Sequence, residues 1–449
     1  MALIERLRFS DSRWRQPQTM VMVGLFAREV AIFVGHTYRI SRLQGSFGFG
    51  WETGRIARSI ALGQGFSSPF VEGTGPTAWL APLYPYLLAG VFKIFGIYTT
   101  SSAIAILSIN SVFSALTILP VFHIARRTFG VRAAWWSGWL AALFPYAWYW
   151  AIKWAWETSL ATLLLACVFL QSMRMANVSC MDQSSGETSA ATGRRDWLLF
   201  GLLWGILALV NPSLLLWLPW AGLWLLLDQL QSKPARAVVL NAVISGLVFV
   251  AVLSPWILRN YRVFERLIPV RGNFWVELRL GNAEDAMGLW RFWAHPSSNV
   301  IELNKYKEMG EVAYVQTKKQ EVLHFIRTHP ERFAVLCVRR AVFFWYGTPR
   351  DTGMEILTES RNLGFLLSSI LAFAGLAVMW RRHHPATFLY GSLLLAAPFV
   401  YYLTFPHPRY RAPIEPEMLI LIVGLFLAAE PWRRKSTEAS TPSEAERAA

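Results

Sequence analysis

Apolar runs of about 17 to 25 residues recur along the whole chain, the length a helix needs to cross a hydrocarbon core of roughly 30 Å. With one shorter run at 197–211, they fall at about 19–38, 79–95, 101–124, 133–151, 156–173, 213–230, 237–256, 362–380, 386–404 and 413–430. Most carry no polar face, which the amphipathic helices of a water-soluble protein would show. Composition agrees, with 54% of the 449 residues hydrophobic and 16% charged. The expectation is an all-α, polytopic transmembrane helix bundle of about ten to twelve spans, with interfacial helices in its extracytoplasmic loops.

A net charge of +15 would suit a nucleic-acid partner, but its distribution argues against one. Basic clusters occupy short gaps between apolar runs: Arg6, Arg8, Arg13 and Arg15; Arg126, Arg127 and Arg132; Arg194 and Arg195; Lys233 and Arg236; Arg381 and Arg382; Arg433, Arg434 and Lys435. Positive charge so placed marks cytoplasmic segments. Residues 1–18 then form a cytoplasmic N-terminus, 19–430 the membrane domain, and 431–449 a disordered cytoplasmic tail. The polar loops 39–78, 257–350 and 405–412 fall outside. Counts from the two ends disagree by one crossing between residues 79 and 130. Either "WLAPLYPYLLAGVFKIF" does not cross, or Arg126 and Arg127 break the charge rule. The first run lacks a small-residue cleavage site and reads as a retained anchor. Cys167, Cys180 and Cys337 have neither disulfide nor metal-site spacing.

Charge that topology leaves unexplained gathers in the three outer loops. In "GFGWETGRIARSIALGQGF", Glu52 and Arg55 share a helix face with Ser59. Ile56 and Ile60 form an adjacent face able to rest on the membrane, and Gly63 and Gly65 end the helix. Glu52 reads as a general base or substrate anchor, or as one half of a surface ion pair. In "TFPHPRYRAPIEPEM", four prolines stiffen a turn that crowds His407, Arg409, Tyr410 and Arg411 beside the membrane. Its guanidinium groups suit phosphate oxygens, whether of lipid headgroups or of a phosphorylated substrate. The long loop supplies Arg259, Arg262, Arg271, Asn282, Glu284 and Asp285, of which Arg271 and Asn282, flanked by glycine and aromatics, are best placed to reach a site. "FAVLCVRRAVFFW" reads as an interfacial helix with Arg339 and Arg340 towards water. Inside the spans, Arg28, Glu29 and Glu157 are the main ionisable residues; Arg28 with Glu29 reads as an internal arrangement that packs the bundle.

An acidic residue in the first outer loop, "PLYPYLLAGVFKIFG", "RRTFGVRAAWWSGWLAALFP", "PWILRNY", "LGN", "THPERF" and a late "RY..P..P" follow one another from about residue 20 to 430. In that order they resemble the GT-C membrane glycosyltransferases, and within them family 39, with its protein O-mannosyltransferases and lipid A aminoarabinose transferase. The resemblance implies transfer of a sugar from a polyprenyl-phosphate donor to a lipid, glycan or protein acceptor outside the cytoplasm, at a bacterial inner membrane, without metal or cofactor. Glu52 then matches the base, Arg409 and Tyr410 the "RY" pair, and Pro413 and Pro416 its prolines.

The chain departs from that pattern twice. Trp51-Glu52 stands where the family has an Asp-Glu doublet. Leu80-Ala81-Pro82-Leu83 stands where relatives have Lys-Pro-Pro-Leu, so Arg55, Arg58, Arg259 or Arg271 would have to hold the donor phosphate. A departing lipid phosphate needs its charge held rather than a second carboxylate as acid, so one base and fixed cations suffice. The rival readings are a transporter or flippase of lipid-linked sugars, which would carry its ionisable residues mid-span, and a non-catalytic assembly protein.

Overall fold

The computed structural model describes residues 14, 16–40, 47–179, 192–349 and 355–439. The cluster Arg6, Arg8, Arg13 and Arg15, Cys180, most of "DQSSGETSAATG" and the end of the tail lie outside them. Among the described residues there are helices and turns, with a single isolated bridge between Ser67 and Pro76.

α1 (Pro17–Val34) is followed by α2 (Glu52–Ala61), α3 (Leu83–Phe95), α4 (Thr100–Leu116) and α5 (Ile118–Phe129). Then come α6 (Val131–Leu143), α7 (Pro145–Lys153), α8 (Thr158–Met175), α9 (Arg194–Val210), α10 (Leu218–Ser232) and α11 (Ala235–Phe264). The long loop holds α12 (Phe274–Gly281), α13 (Val300–Thr328) and α14 (Pro330–Tyr346). The chain finishes with α15 (Glu355–Arg381), α16 (Thr387–Ala396), α17 (Phe399–Leu403), α18 (Pro408–Arg411) and α19 (Glu415–Ala439), the last running into the segment read as a tail.

Local chemistry sets these boundaries. Thr99 caps α4 by accepting the Ser102 N–H at 3.1 Å, and Asn299 caps α13 by accepting those of Ile301 and Glu302. Proline opens α1, α7, α14 and α18, where its missing N–H costs nothing. Pro145 therefore splits the run 133–151 into α6 and α7. The carbonyls freed at the end of α6 are taken by Arg28 of α1, which donates to Ala141 O and Ala142 O, both at 3.1 Å. Arg28 also reaches Gly24 O and Ser114 Oγ, while Glu29 accepts from Ser108 Oγ at 2.9 Å. The two neighbours thus pack the bundle separately, and not as a pair.

Among the described residues, seven helices are long and apolar enough to cross a membrane: Pro17–Val34, Thr100–Phe129, Thr158–Met175, Pro212–Ser232, Ala235–Phe264, Thr358–Arg381 and Pro408–Ala429. Leu83–Phe95 and Thr387–Leu403 are shorter apolar helices. This is an integral membrane bundle. Its interior is packed with large rings, as where Phe169 stacks on Trp217 at 5.6 Å and meets Tyr390 edge-on at 4.7 Å.

The disputed crossing resolves at α3. Phe49, before α2, packs on Phe92 near the end of α3 at 5.8 Å and on Tyr98 beyond it at 5.1 Å. The start of α3 adjoins the same loop, so both its ends lie at one end of the bundle. Thirteen residues also give roughly 20 Å of helix, short of a full crossing. The crossing is made by α4 and α5 together, and Arg127 at its far end donates to Val178 O beyond α8. Arg126 and Arg127 therefore stand with the other basic gaps, opposite the three polar loops.

Those loops are bound into one layer. Arg259 at the end of α11 donates to Thr77 O at 2.6 Å and Phe66 O at 2.7 Å. Glu311 of α13 accepts the Ala78 N–H at 2.7 Å and the hydroxyls of Tyr306 and Thr77. Asn282 donates to Leu403 O at 2.9 Å. Gly281 lies so close to Thr404 O that any β-carbon would collide with it.

Candidate active site

α2 starts abruptly. Gly50 and Trp51 both have positive φ, +87° and +50°, and a β-carbon on Gly50 would strike Ala155 O. A non-glycine residue in that region is strained, and such strain concentrates at functional sites. The turn places Glu52 on the first residue of the helix, where unpaired N–H groups favour a carboxylate. Ile56 on the next face is buried against Phe66 and Trp256, so this face of α2 rests on protein and not on lipid.

Glu52 makes no ion pair with Arg55. Its Oε1 accepts from Ser297 Oγ at 3.3 Å and faces His295 Nε2 at 3.7 Å. The Ser297 N–H donates to His295 Nδ1 at 3.1 Å. That bond requires Nδ1 without a proton, so the neutral ring carries its proton on Nε2, towards Glu52. Burial pushes the His295 pKa down, Glu52 pushes it up and Arg55 down again, and the net shift is downward, favouring the neutral ring.

Five of the residues picked from sequence line one cleft: Glu52, Arg271, His407, Arg409 and Tyr410. Arg409 lies 4.2 Å above the Trp156 ring, and Tyr410 stacks on Tyr401 at 4.2 Å. His407 Nδ1 caps α18 by accepting the Arg409 N–H at 3.2 Å. The remaining five do not line it. Arg58 pairs with Glu72 at 2.6 Å on the surface, and Arg55 stands behind the cleft near Tyr98 and His295. Arg259 fastens the first loop, as described above. Asn282 is fully buried, donating to Leu278 O and Leu403 O and accepting from Arg340. Arg411 donates to Trp345 O, Phe365 O and Ser369 Oγ and pairs with Glu415 at 3.3 Å. Buried carbonyl oxygens need donors, and these cations supply them. Arg340 does likewise: α14 turns it inward, onto Gly281 O and Leu403 O, leaving Arg339 on the exposed side. Of the four arginines able to replace the missing lysine, only Arg271 reaches the cleft.

The cleft also holds residues that sequence reasoning passed over. Glu277 and Asn273 are four apart on one face at the start of α12, and Asn273 Nδ2 donates to Glu277 Oε1 at 2.9 Å. Burial drives the Glu277 pKa up from 4.5 to about 7; Arg271 and Arg409 pull it down and Glu52 adds to the rise. Asn273 Oδ1 is buried without a hydrogen-bond partner. Glu157, read as a mid-span carboxylate, lines the cleft at the start of α8. Trp290 joins the wall between Trp51, His295 and Phe405. A lone carboxylate inside the apolar run "FWVELRLG" was the available signal for Glu277.

A cleft with fixed carboxylates, two cations and an aromatic wall is equipped to hold a sugar phosphate and move one proton. The archaeal oligosaccharyltransferase AglB from Archaeoglobus fulgidus, solved with an inhibitory peptide and a dolichol-phosphate, aligns at a TM-score of 0.53 and 15% identity, over 95% of this chain and 52% of that one. Its apo form aligns at 0.51 and 14% identity over the same shares. ArnT from Cupriavidus metallidurans, bound to undecaprenyl phosphate, aligns at 0.42 and 13% identity, over 94% of this chain and 81% of that one. The chain thus has the fold of the GT-C membrane glycosyltransferases and spans about half the length of the oligosaccharyltransferase it matches. No family model and no curated protein sequence matches it.

Proposed function

We propose that this protein is a membrane glycosyltransferase that takes a sugar from a polyprenyl-phosphate donor and passes it to an acceptor on the extracytoplasmic side. The observation that carries this reading is the convergence of Glu52, Arg271 and Arg409 on one cleft. Glu52 takes the proton from the acceptor hydroxyl as that oxygen forms its bond to the anomeric carbon. The bond from that carbon to the phosphate oxygen breaks, and its electron pair leaves with the lipid phosphate. Arg271 and Arg409 hold the charge that builds there. Attack opposite the leaving group inverts the anomeric centre. Asn273 Oδ1, buried and unpartnered, offers an acceptor for a sugar hydroxyl. Glu277, half protonated near neutral pH, keeps the negative charge beside the phosphate small. The position of the cleft at the end of the bundle suits a head group whose tail stays in the bilayer, and the basic gaps opposite it support an extracytoplasmic cleft. A bacterial inner membrane of the family 39 type fits these features.

Membranes containing wild-type protein and supplied with a labelled polyprenyl-phosphate sugar are expected to release the carrier phosphate and label an acceptor. Glu52→Gln keeps the shape and removes the base, so turnover should fall at least about a hundredfold at equal expression. Undiminished turnover in that variant removes Glu52 from the base role.

A further inference from the structure

A second cavity lies deeper in the bundle, between α1, the α4–α5 pair, α6 to α8, α15 and α19. Its lower wall is apolar, with Val121, Leu140, Leu419 and Ile422 along it. Leu140 and Phe144 on its rim are 37% and 51% exposed on the bundle's outer face, where bilayer lipid lies. Towards the level of the cleft its wall turns polar, with Tyr146, Trp150, Arg361, Arg411 and Glu415. The guanidinium groups of Arg28, Arg361 and Arg411 line this space together with the carboxylate of Glu415, and Arg361 is already engaged with Thr348 O and Asn362 Oδ1.

Two features of this wall ask for a ligand. The Tyr146 hydroxyl and the Trp150 Nε1 are buried beside each other, and neither makes a hydrogen bond of good geometry. A buried donor left so costs about 1–3 kcal/mol. Arg28, 1% exposed, is surrounded only by neutral oxygens: Gly24 O, Ala141 O, Ala142 O and Ser114 Oγ. A cation at membrane depth without a counter-ion is expensive, and such residues mark binding sites or pathways. Arg411, in contrast, already has Glu415 at 3.3 Å. Arg28 is the cation in this wall held by neutral oxygens, the groups without a good hydrogen bond are donors, and the rest is hydrocarbon.

We propose that this cavity seats an anionic phospholipid drawn from the surrounding bilayer. Its phosphate accepts from Tyr146 and Trp150 beside the guanidinium groups, and one acyl chain fills the apolar shaft. The seat is separate from the cleft, since Trp150, on its wall, stands between it and His407 and Trp156, which line the cleft. The inference does not depend on glycosyl transfer.

The full chain is reconstituted in nanodiscs of phosphatidylcholine with about one part in ten of phosphatidylglycerol. The lipids that stay bound after extraction into detergent are counted by native mass spectrometry. One phosphatidylglycerol per chain is expected, enriched at least about tenfold over phosphatidylcholine. Ala151→Phe, which blocks the shaft, should abolish that retention. Tyr146→Phe removes only the hydroxyl and should weaken it several-fold without loss of fold; it decides the matter if the first variant does not assemble. Retention unchanged in Tyr146→Phe, or no preference for the anionic lipid, overturns the inference. Displacement of phosphatidylglycerol by equimolar undecaprenyl phosphate also overturns it, because the seat would then belong to the carrier lipid.

Discussion

Glu52 is held at one oxygen by Ser297 and His295. No described hydrogen bond reaches its second oxygen, which is the geometry a base requires. His295→Phe keeps a planar aromatic ring, slightly larger, and deletes the Nε2 donor. It should lower kcat about tenfold to a hundredfold with the donor KM changed less than twofold, whereas His295→Gln, which restores an amide donor, should recover most of the loss. Steady-state kinetics on both variants check this; equal losses in the two would make His295 a packing residue. Glu277 gives a different signature. Its folded pKa, about 7, lies above its ordinary value of 4.5, so the folded state binds the extra proton. Its contribution to stability is complete below about pH 4.5 and is lost as pH rises through about 7. Glu277→Gln should therefore flatten the fall in Tm between about pH 5 and pH 8, read by thermal unfolding in detergent.

At the scale of the element, the turn before α2 decides whether Glu52 reaches the cleft at all. Gly50 sits at φ +87° against Ala155 O, next to the N-cap of α8 that carries Glu157. Gly50→Ala combines a disfavoured φ with a clash, and is expected to cost about 2 kcal/mol or more and to lower activity further than stability alone explains. Thermal unfolding and turnover measured on the same sample separate the two effects. The amphipathic pattern of α2 was legible in "ETGRIARSIA"; that Ile56 meets Phe66 and Trp256 was not, because an apolar face reads the same whether it meets lipid or protein.

For the whole molecule, the layer formed by the three polar loops sets the direction of the cleft. Ser298→Cys and Glu72→Cys, both exposed in that layer, should react with an impermeant thiol reagent from one side of the membrane. Ser232→Cys, exposed at the end of α10 just before the far end of the 30-residue α11, should react only from the opposite side. Labelling of all three from one side would contradict the arrangement. Placing α3 along the cleft end, and not across the bilayer, brings the basic gaps and the polar loops to opposite faces.

The sequence by itself determined the membrane bundle, because an apolar run of sufficient length leaves a backbone in lipid no choice but a helix. It also singled out Glu52 and Arg409, since charge retained beside a membrane without a topological reason is conspicuous, while Tyr410 was marked by the late "RY" pair. Only the tertiary structure decided which arginines face the cleft and which tie carbonyls together. A guanidinium group satisfies a phosphate and a helix end equally well. Arg271 differs from Arg259, Arg340 and Arg411 only in what the folded chain brings beside it. Glu277, Asn273 and His295 became visible for the same reason: their properties come from burial and from partners distant in sequence.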